Sequence, residues 1–425
     1  MNERLLQFIW QYQYYNNKEL FTSDGEALQI IHPGYYNRNQ GPDFSNARVR
    51  IGNTILAGTI ELHVLTSHWQ QHGHSQDDNY GNVILHVVWK NDIVTGGPAL
   101  PLLILEPRIP ALLIQQYGEW LDKGSFIPCE MQWRNSTFPE WNTWKERLLE
   151  ERMLRKELRI NKFLDECNYH WEEAFWWLLA RHLGDPVNAD SFEGVARSLP
   201  LKLLARHRNQ IHQIEALLIG QAGLLSDSYE EAYPNLLKKE YEFLAKKYKL
   251  HPVPWPVLFL RMRPGNFPTI RLAQLAMLIH TTATLFTRLR DCETISEIKS
   301  LLDVTANDYW HYHYRFDDPG KFAIKKLGEE MIRSIIINVI CPILITYGKH
   351  TDQPALIQKA LLWLEQIPHE NNSIIRKFEE IGCDPKTAAD SQALLELKIK
   401  YCDHRHCLDC AIGNHLLNKK WGRKE

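Results

Sequence analysis

Two carboxylates and a histidine stand out near the start of the chain. Asp43 follows Pro42 in the stretch GPDFSNARVRIGNTILAGTIELHV, residues 41–64, and Glu61 and His63 close it. Gly52-Asn53 is a hairpin turn signal between strands expected over about 46–51 and 54–64. Antiparallel pairing across that turn folds position 43 back to about 61 or 62. Side chains alternate along a strand, so Glu61 and His63 share one face. Converging carboxylates repel unless a cation or a proton lies between them. Magnesium or manganese is the expected ion, activating a water for attack on a phosphodiester. Salt-bridging of Glu61 to Arg48 or Arg50, with Asp43 capping a turn, is the structural alternative.

A second group follows at once. SHWQQHGHSQDDNYGNVILH holds His68, His72, His74, Asp77 and His86. His68 and His72 are four apart and share a face if this piece is helical. Imidazoles beside a carboxylate suit zinc, manganese or iron. His68, His72, His74 and Asp77 are therefore candidate ligands or substrate contacts. His86, in an apolar strand, is expected to make one buried hydrogen bond close to the site.

Near the C-terminus, YCDHRHCLDC sets Cys402, Cys407 and Cys410 at spacings that let three thiolates grip one metal. Cys383, His404, His406 or His415 is in range as a fourth ligand. Zinc accepts such sets, and a four-iron cluster often takes three close cysteines and a remote one. RMRPGNFPTIR places Arg261, Arg263 and Arg271 around a Pro/Gly loop before a helix, where guanidinium forks could bind phosphate or pair with acids between helices. The basic stretch 145–162 and the aromatic NDYWHYHYRF, residues 307–316, could also serve nucleic acid; solvated and packed helix faces explain them as well.

These residues must be held by a scaffold. The first ~110 residues read as an initial helix, three strands, a short polar helix and the apolar strand NVILHVVW. Apolar on both faces, that strand is expected to be central and covered on both sides. From about residue 141 helical periodicity takes over, with helices expected near 171–183, 191–206, 211–224, 229–248, 270–288, 293–303, 322–346, 354–366, 371–381 and 387–401. The expected division is 1–135 mixed α/β, 136–380 helical, and 381–425 a helical tail carrying the cysteines.

The order helix–strand–strand–strand–helix–strand, with Pro42-Asp43 and Glu61-x-His63, resembles the PD-(D/E)XK nuclease superfamily. That resemblance implies a restriction-endonuclease-like mixed sheet, with Asp43 and Glu61 as metal ligands. It puts His63 where the superfamily has a lysine that activates or positions water, and suggests an assisting acid in the first helix, Glu3 or Glu19. An imidazole there can act as base or ligand but carries no permanent charge. Some nucleases resembling this fold carry a cysteine-bound cluster beside the catalytic domain. Along nearly its whole length the chain also resembles a large bacterial family of unknown function, through GPDFSNARVRIG, IELHV, HWQQHGHSQDDNYGNVILHVV, EALLIGQAGLL, RMRPGNFPTIRLAQLA and SQALLELKIKYCDHRHCLDCAIGN.

Composition narrows the classes. Hydrophobic content of 44% and charged content of 24% are those of a globular protein. A net charge of −2 supplies no global basic field, so nucleic acid would need a local patch. No signal-peptide pattern and no apolar run of about 18 residues is present, so no membrane span and a cytoplasmic location are expected. Phosphate-loop, dinucleotide and GxSxG patterns are absent from the sequence. The leading expectation is a metal-dependent phosphodiesterase acting on DNA or RNA, with Asp43, Glu61 and His63 catalytic, and with His68, His72, His74, Asp77, Arg261 and Arg263 touching substrate. The alternatives are a non-catalytic nucleic-acid-binding or scaffold protein on a degenerate nuclease fold, and a His/carboxylate metallohydrolase of a small substrate.

Overall fold

A computed structural model describes residues 1–416 apart from 2, 12, 38–40, 94–97, 110–123, 135–137, 139, 185, 260–261, 283, 408 and 414. Arg261 and the basic C-terminal tail thus lie outside the described residues. The chain divides into two compact units, 1–138 together with 400–425, and 139–399. The stretch 381–425, expected to be one tail, is shared between them.

The first unit opens with α1 (Glu3–Gln11), followed by β1 (Leu20–Phe21), β2 (Ala27–His32), β3 (Tyr35–Tyr36), β4 (Phe44–Ile51) and β5 (Thr54–Leu65). Then come α2 (His68–Gln71), β6 (Val83–Lys90) and β7 (Leu102–Ile104). The seven strands form one mixed sheet in the order β1-β2-β4-β5-β6-β7, with β3 paired to β4. β4 and β5 are antiparallel, whereas β6 and β7 run parallel to their neighbours. β6 is buried along most of its length, as its unbroken apolar run requires. β1 and β3, two residues each, carry no periodicity of their own.

The β4–β5 ribbon has one irregularity that matters. Ile51 faces Thr54 across the turn, yet Phe44 faces Ile60, because an extra residue is inserted between Ala47 and Phe44. Asn46 sits there with φ +56°, a left-handed conformation that asparagine tolerates. A regular ribbon would set Asp43 against Leu62, on the wrong face. The bulge carries it back to Glu61. At the other edge of β5, Gly58 lets β6 come close: a Cβ there would lie 2.5 Å from the Asn82 carbonyl.

The second unit is helical. The helix expected over 191–206 is interrupted at Leu199-Pro200, giving Ala189–Ser198 and Leu201–Arg206. The one expected over 270–288 breaks into Pro268–Thr281 and Leu285–Asp291. Glu329–His350 is a continuous helix of 22 residues, long and apolar enough by composition to cross a membrane, with 72% of its apolar window buried by its own protein. The helix expected over 322–346 thus starts later and runs further, with Glu329, Glu330 and Arg333 heading it before its apolar part. Lys145, Arg152 and Lys156 turn inward to Asp390, Gln392 and Asn338 at 2.6–2.8 Å, which occupies the basic face of 145–162 within the unit. Trp310 is fully buried and Tyr309 stacks on His313 at 4.0 Å, so these aromatics pack rather than present themselves to bases.

Candidate metal centre

The bulged ribbon brings the two carboxylates into contact through their backbones. The Asp43 N–H donates to Glu61 Oε2 (3.0 Å), and the Leu62 N–H donates to Asp43 Oδ2 (3.2 Å). On α1, Glu3 and Gln7 lie one turn apart on the same helix face. Gln7 Nε2 donates to Asp43 Oδ1 at 2.7 Å, and Glu3 Oε1 lies 3.9 Å from His63 Nε2. Glu3 is thus the first-helix acid near the site. Glu19 instead offers its backbone carbonyl to Arg108.

The histidine segment folds back over the same face. His68 and His72 flank the single turn of α2, and Gly73 then turns the chain with φ +72°. That left-handed residue returns His74 to His63, ring on ring at 5.2 Å. Tyr80 stacks on the outer side of His74 at 3.8 Å, and buried Trp69 meets His63, His74 and His86 edge-on or tilted. His68 approaches His63 only at 6.1 Å between ring centres. Asp77 accepts from the backbone and side chain of Asn79, so its carboxylate builds the loop.

Three imidazole donors gather here, with the Glu61 carboxylate beside two of them. His63 Nε2 lies 3.2 Å from His72 Nδ1 and 3.5 Å from Glu61 Oε1, and His74 Nε2 lies 3.5 Å from the same oxygen. One ligand atom from each of His63, His72 and His74 falls within 4.8 Å of the other two. A tetrahedral shell with donors about 2.1 Å from its centre has neighbouring donors about 3.4 Å apart. The spacing fits a first-row metal. His74 Nε2 is buried with no hydrogen-bond partner, as a ligand nitrogen would be in a metal-free structure. His63 Nδ1 meets His86 Nε2 at 2.9 Å, the outer contact that orients a ligating imidazole.

The electrostatics agree. Burial, then Asp43, pushes the Glu61 carboxyl up to about 9. Burial also lifts Asp43 to about 6, against hydrogen bonds from Gln7 and Leu62. Burial and the surrounding imidazoles hold His63 down to about 2, and burial holds His86 near 4. Among the described residues no lysine or arginine appears among the charges acting on these groups. Buried carboxylates without a cation, beside imidazoles kept neutral, are what a metal site looks like before the metal enters. Glu61 and His63 are buried while His72 is exposed, so the centre opens to solvent at His72.

The chain belongs to the family described as "Protein of unknown function (DUF2851)", whose model matches residues 3–373. The match takes in the whole of this centre, from Glu3 to His86, and ends before the cysteines at 402–410. No curated protein and no solved structure matches the chain.

The other candidates are placed as follows. Cys402, Cys407 and Cys410 are buried in the first unit, and Gly413 packs so tightly that a Cβ would lie 2.0 Å from the Cys407 carbonyl oxygen. Cys129, also buried in that unit, is near enough that Cys407 and Cys410 act on its thiol or are acted on by it. Cys129 precedes the short helix Glu130–Trp133. Trp133 packs on Phe138 (5.3 Å), and Phe138 on His415 (5.7 Å), whose Nε2 is buried without a partner. Cys383 belongs to the second unit, where Lys145 and Asp390 act on it. Cys129 did not figure among the fourth-ligand candidates that the sequence offered. Its only signal was that three clustered cysteines lack a fourth, and 273 residues separate it from the nearest of them. Arg263 also belongs to the second unit.

Proposed function

We propose that the protein is a metal-dependent phosphodiester hydrolase acting on DNA or RNA. The observation that carries this is the three-imidazole group of His63, His72 and His74, with Glu61 beside His63 and His74 and with Asp43 next to it on a bulged hairpin. Three imidazoles and one carboxylate suit manganese, iron or zinc better than magnesium, which favours oxygen ligands and water. An ion held there would supply a Lewis acid and a bound water of lowered pKa. Glu61 Oε1, His63 and His74 hold it. Asp43 fixes Glu61 through its backbone N–H. His72, at the solvent side, completes the shell or takes the proton from the attacking water. This reassigns His63 from water activation to ligation, because its ring is fully buried and both its nitrogens are engaged, Nδ1 by His86 and Nε2 by His72. The phosphodiester substrate class rests on the strand order and the Pro-Asp…Glu-x-His pattern of the nuclease resemblance. A cytoplasmic location, where thiols stay reduced, goes with this reading.

Cleavage assays on single- and double-stranded DNA and RNA with manganese, zinc or ferrous iron will test it. Asp43→Ala and Glu61→Ala should each lower the rate by about a hundredfold or more, since each removes part of the shell or its support. Cleavage that survives both substitutions would rule the proposal out. Burial of the centre favours a second reading, hydrolysis of a small substrate. Turnover of bis(p-nitrophenyl) phosphate without cleavage of any polynucleotide would decide for it.

A second metal completes the proposal: zinc or a four-iron cluster on Cys402, Cys407 and Cys410, with Cys129 as the remote ligand, although no three of these thiols stand within 4.8 Å of one another and a single zinc would have to draw them together. Elemental analysis should find one zinc, or four irons, that Cys129→Ser and Cys407→Ser lose and Cys383→Ser keeps. Loss in Cys383→Ser and retention in Cys129→Ser would reverse the choice of ligand.

A further inference from the structure

The second unit holds a cavity of about 340 Å³ between the end of the helix Trp171–Gly184, the loop at Asn188 and the start of the helix Pro268–Thr281. Its size is that of a small-ligand site. Two arginines line it, and among the described residues no acidic side chain does. Arg271 lies within the wall, only 6% exposed. Its Nη1 donates to Gln274 Oε1 at 2.9 Å and its Nη2 to Asn266 Oδ1 at 2.6 Å, both neutral amides. Arg263 stands exposed at the rim, and neither arginine has a carboxylate partner among the described residues.

A buried guanidinium without a counter-charge is costly, and the protein elsewhere avoids it. In the same unit Arg155 pairs with buried Glu396, and Arg181 reaches both Asp190 and Glu193. Arg271 is the exception. Burial alone lowers its pKa to about 10, with no acid offsetting the effect, and Arg271 in turn adds to what keeps half-buried His182 neutral. Here the fold has placed a positive charge against empty space. Guanidinium forks match phosphate oxygens in geometry, and charge-assisted bonds to them are among the strongest polar contacts. Leu183, Phe192, Met262 and Met331 make the remaining walls apolar.

We propose that this cavity binds a phosphoryl group, with Arg271 at its base and Arg263 closing the rim. The site is independent of the metal centre and of the hydrolase reading. The shared chemistry is a phosphoryl group, carried by inorganic phosphate or by a phosphate monoester whose body packs on the methionine and phenylalanine walls. Either source uses the same two cations.

Calorimetry and thermal denaturation of the full chain will test this with inorganic phosphate and with adenosine 5′-monophosphate, against potassium chloride at matched ionic strength. Saturable binding and a raised Tm are expected for phosphate, for the monoester or for both. Tighter binding of the monoester identifies the larger ligand. Arg263→Ser, on the surface, should fold normally and weaken binding about tenfold or more, the effect of one charge-assisted contact. Arg271→Met removes the buried charge at similar volume. It should raise the ligand-free Tm and abolish the response to phosphate. A response equal to that of chloride, or one unchanged in both variants, would overturn the assignment.

Discussion

Glu61→Gln will abolish metal binding at the centre and, in metal-free protein, stabilise the first unit at alkaline pH. The sign follows from linkage. The unfolded carboxyl titrates near 4.3, and in the folded protein burial and Asp43 raise it to about 9. Between those values the folded state binds the extra proton, so stability falls as pH rises through the window. From pH 6 to pH 8 the loss is up to about 2.7 kcal/mol, at about 1.4 kcal/mol per unit. That corresponds to a Tm lower by about 5–10 °C for a unit of this size. Glutamine keeps an oxygen for the Asp43 N–H and gains an N–H for the orphaned His74 nitrogen. The chelated wild type should therefore lose Tm across pH 6–8, and the variant should not. Metal binding by wild type must expel the shared proton. Calorimetry near pH 7.5 in buffers of different ionisation enthalpy should count about one proton released per ion. Because His63 and His86 are already neutral well below that pH, the proton comes from the carboxylates. Release of none, with a flat Tm profile, would mean that Glu61 is ionised without metal and that the shell does not need a cation.

How much of this centre could be read beforehand differs from residue to residue, for physical reasons. Strand parity alone put Glu61 and His63 on one face, because a period of two leaves no choice. The turn at Gly52-Asn53 fixed the ribbon's pairing close to the hairpin, where the register is local. It left Asp43 between position 61 and position 62, and those lie on opposite faces. The decision belongs to Asn46, whose left-handed backbone inserts the extra residue. Asparagine permits that conformation without demanding it, so the bulge is invisible until the pairing is seen. The histidine segment showed its composition but not its path. Only the φ of Gly73 shows that His74 returns to His63 while His68 stays outside. Long-range partners were least legible. Helix periodicity predicts which face is buried, not which distant thiol lies under it, so Cys129 could not be chosen over Cys383. The breaks after Leu199 and after Thr281 were missed for a related reason. Apolar spacing continues through both, while the backbone turns to satisfy packing within the helical unit.

His63→Lys asks whether the imidazole is what sets the centre's chemistry. The substitution installs the residue type that the nuclease resemblance has at this position. Three consequences follow from the contacts. A ligand nitrogen is lost from the shell, and an ammonium replaces it within reach of Glu61 and Asp43. That charge offsets the carboxylate repulsion, so the metal-free variant should resist alkaline pH better than wild type. It also repels a cation in the old position, so affinity for zinc or ferrous iron should fall about a hundredfold or more. The remaining carboxylates with water resemble a hard-cation site, so any activity that survives should shift towards magnesium and manganese. The measurement is metal affinity by competitive titration, alongside phosphodiester cleavage under each ion. Undiminished zinc affinity would show that His63 is not a ligand and that His72 and His74 suffice with Glu61. A loss of affinity for soft and hard ions alike, with cleavage gone, would place the chemistry in the imidazole itself. The buried pair of His63 and His86 would then be the feature that makes the site work.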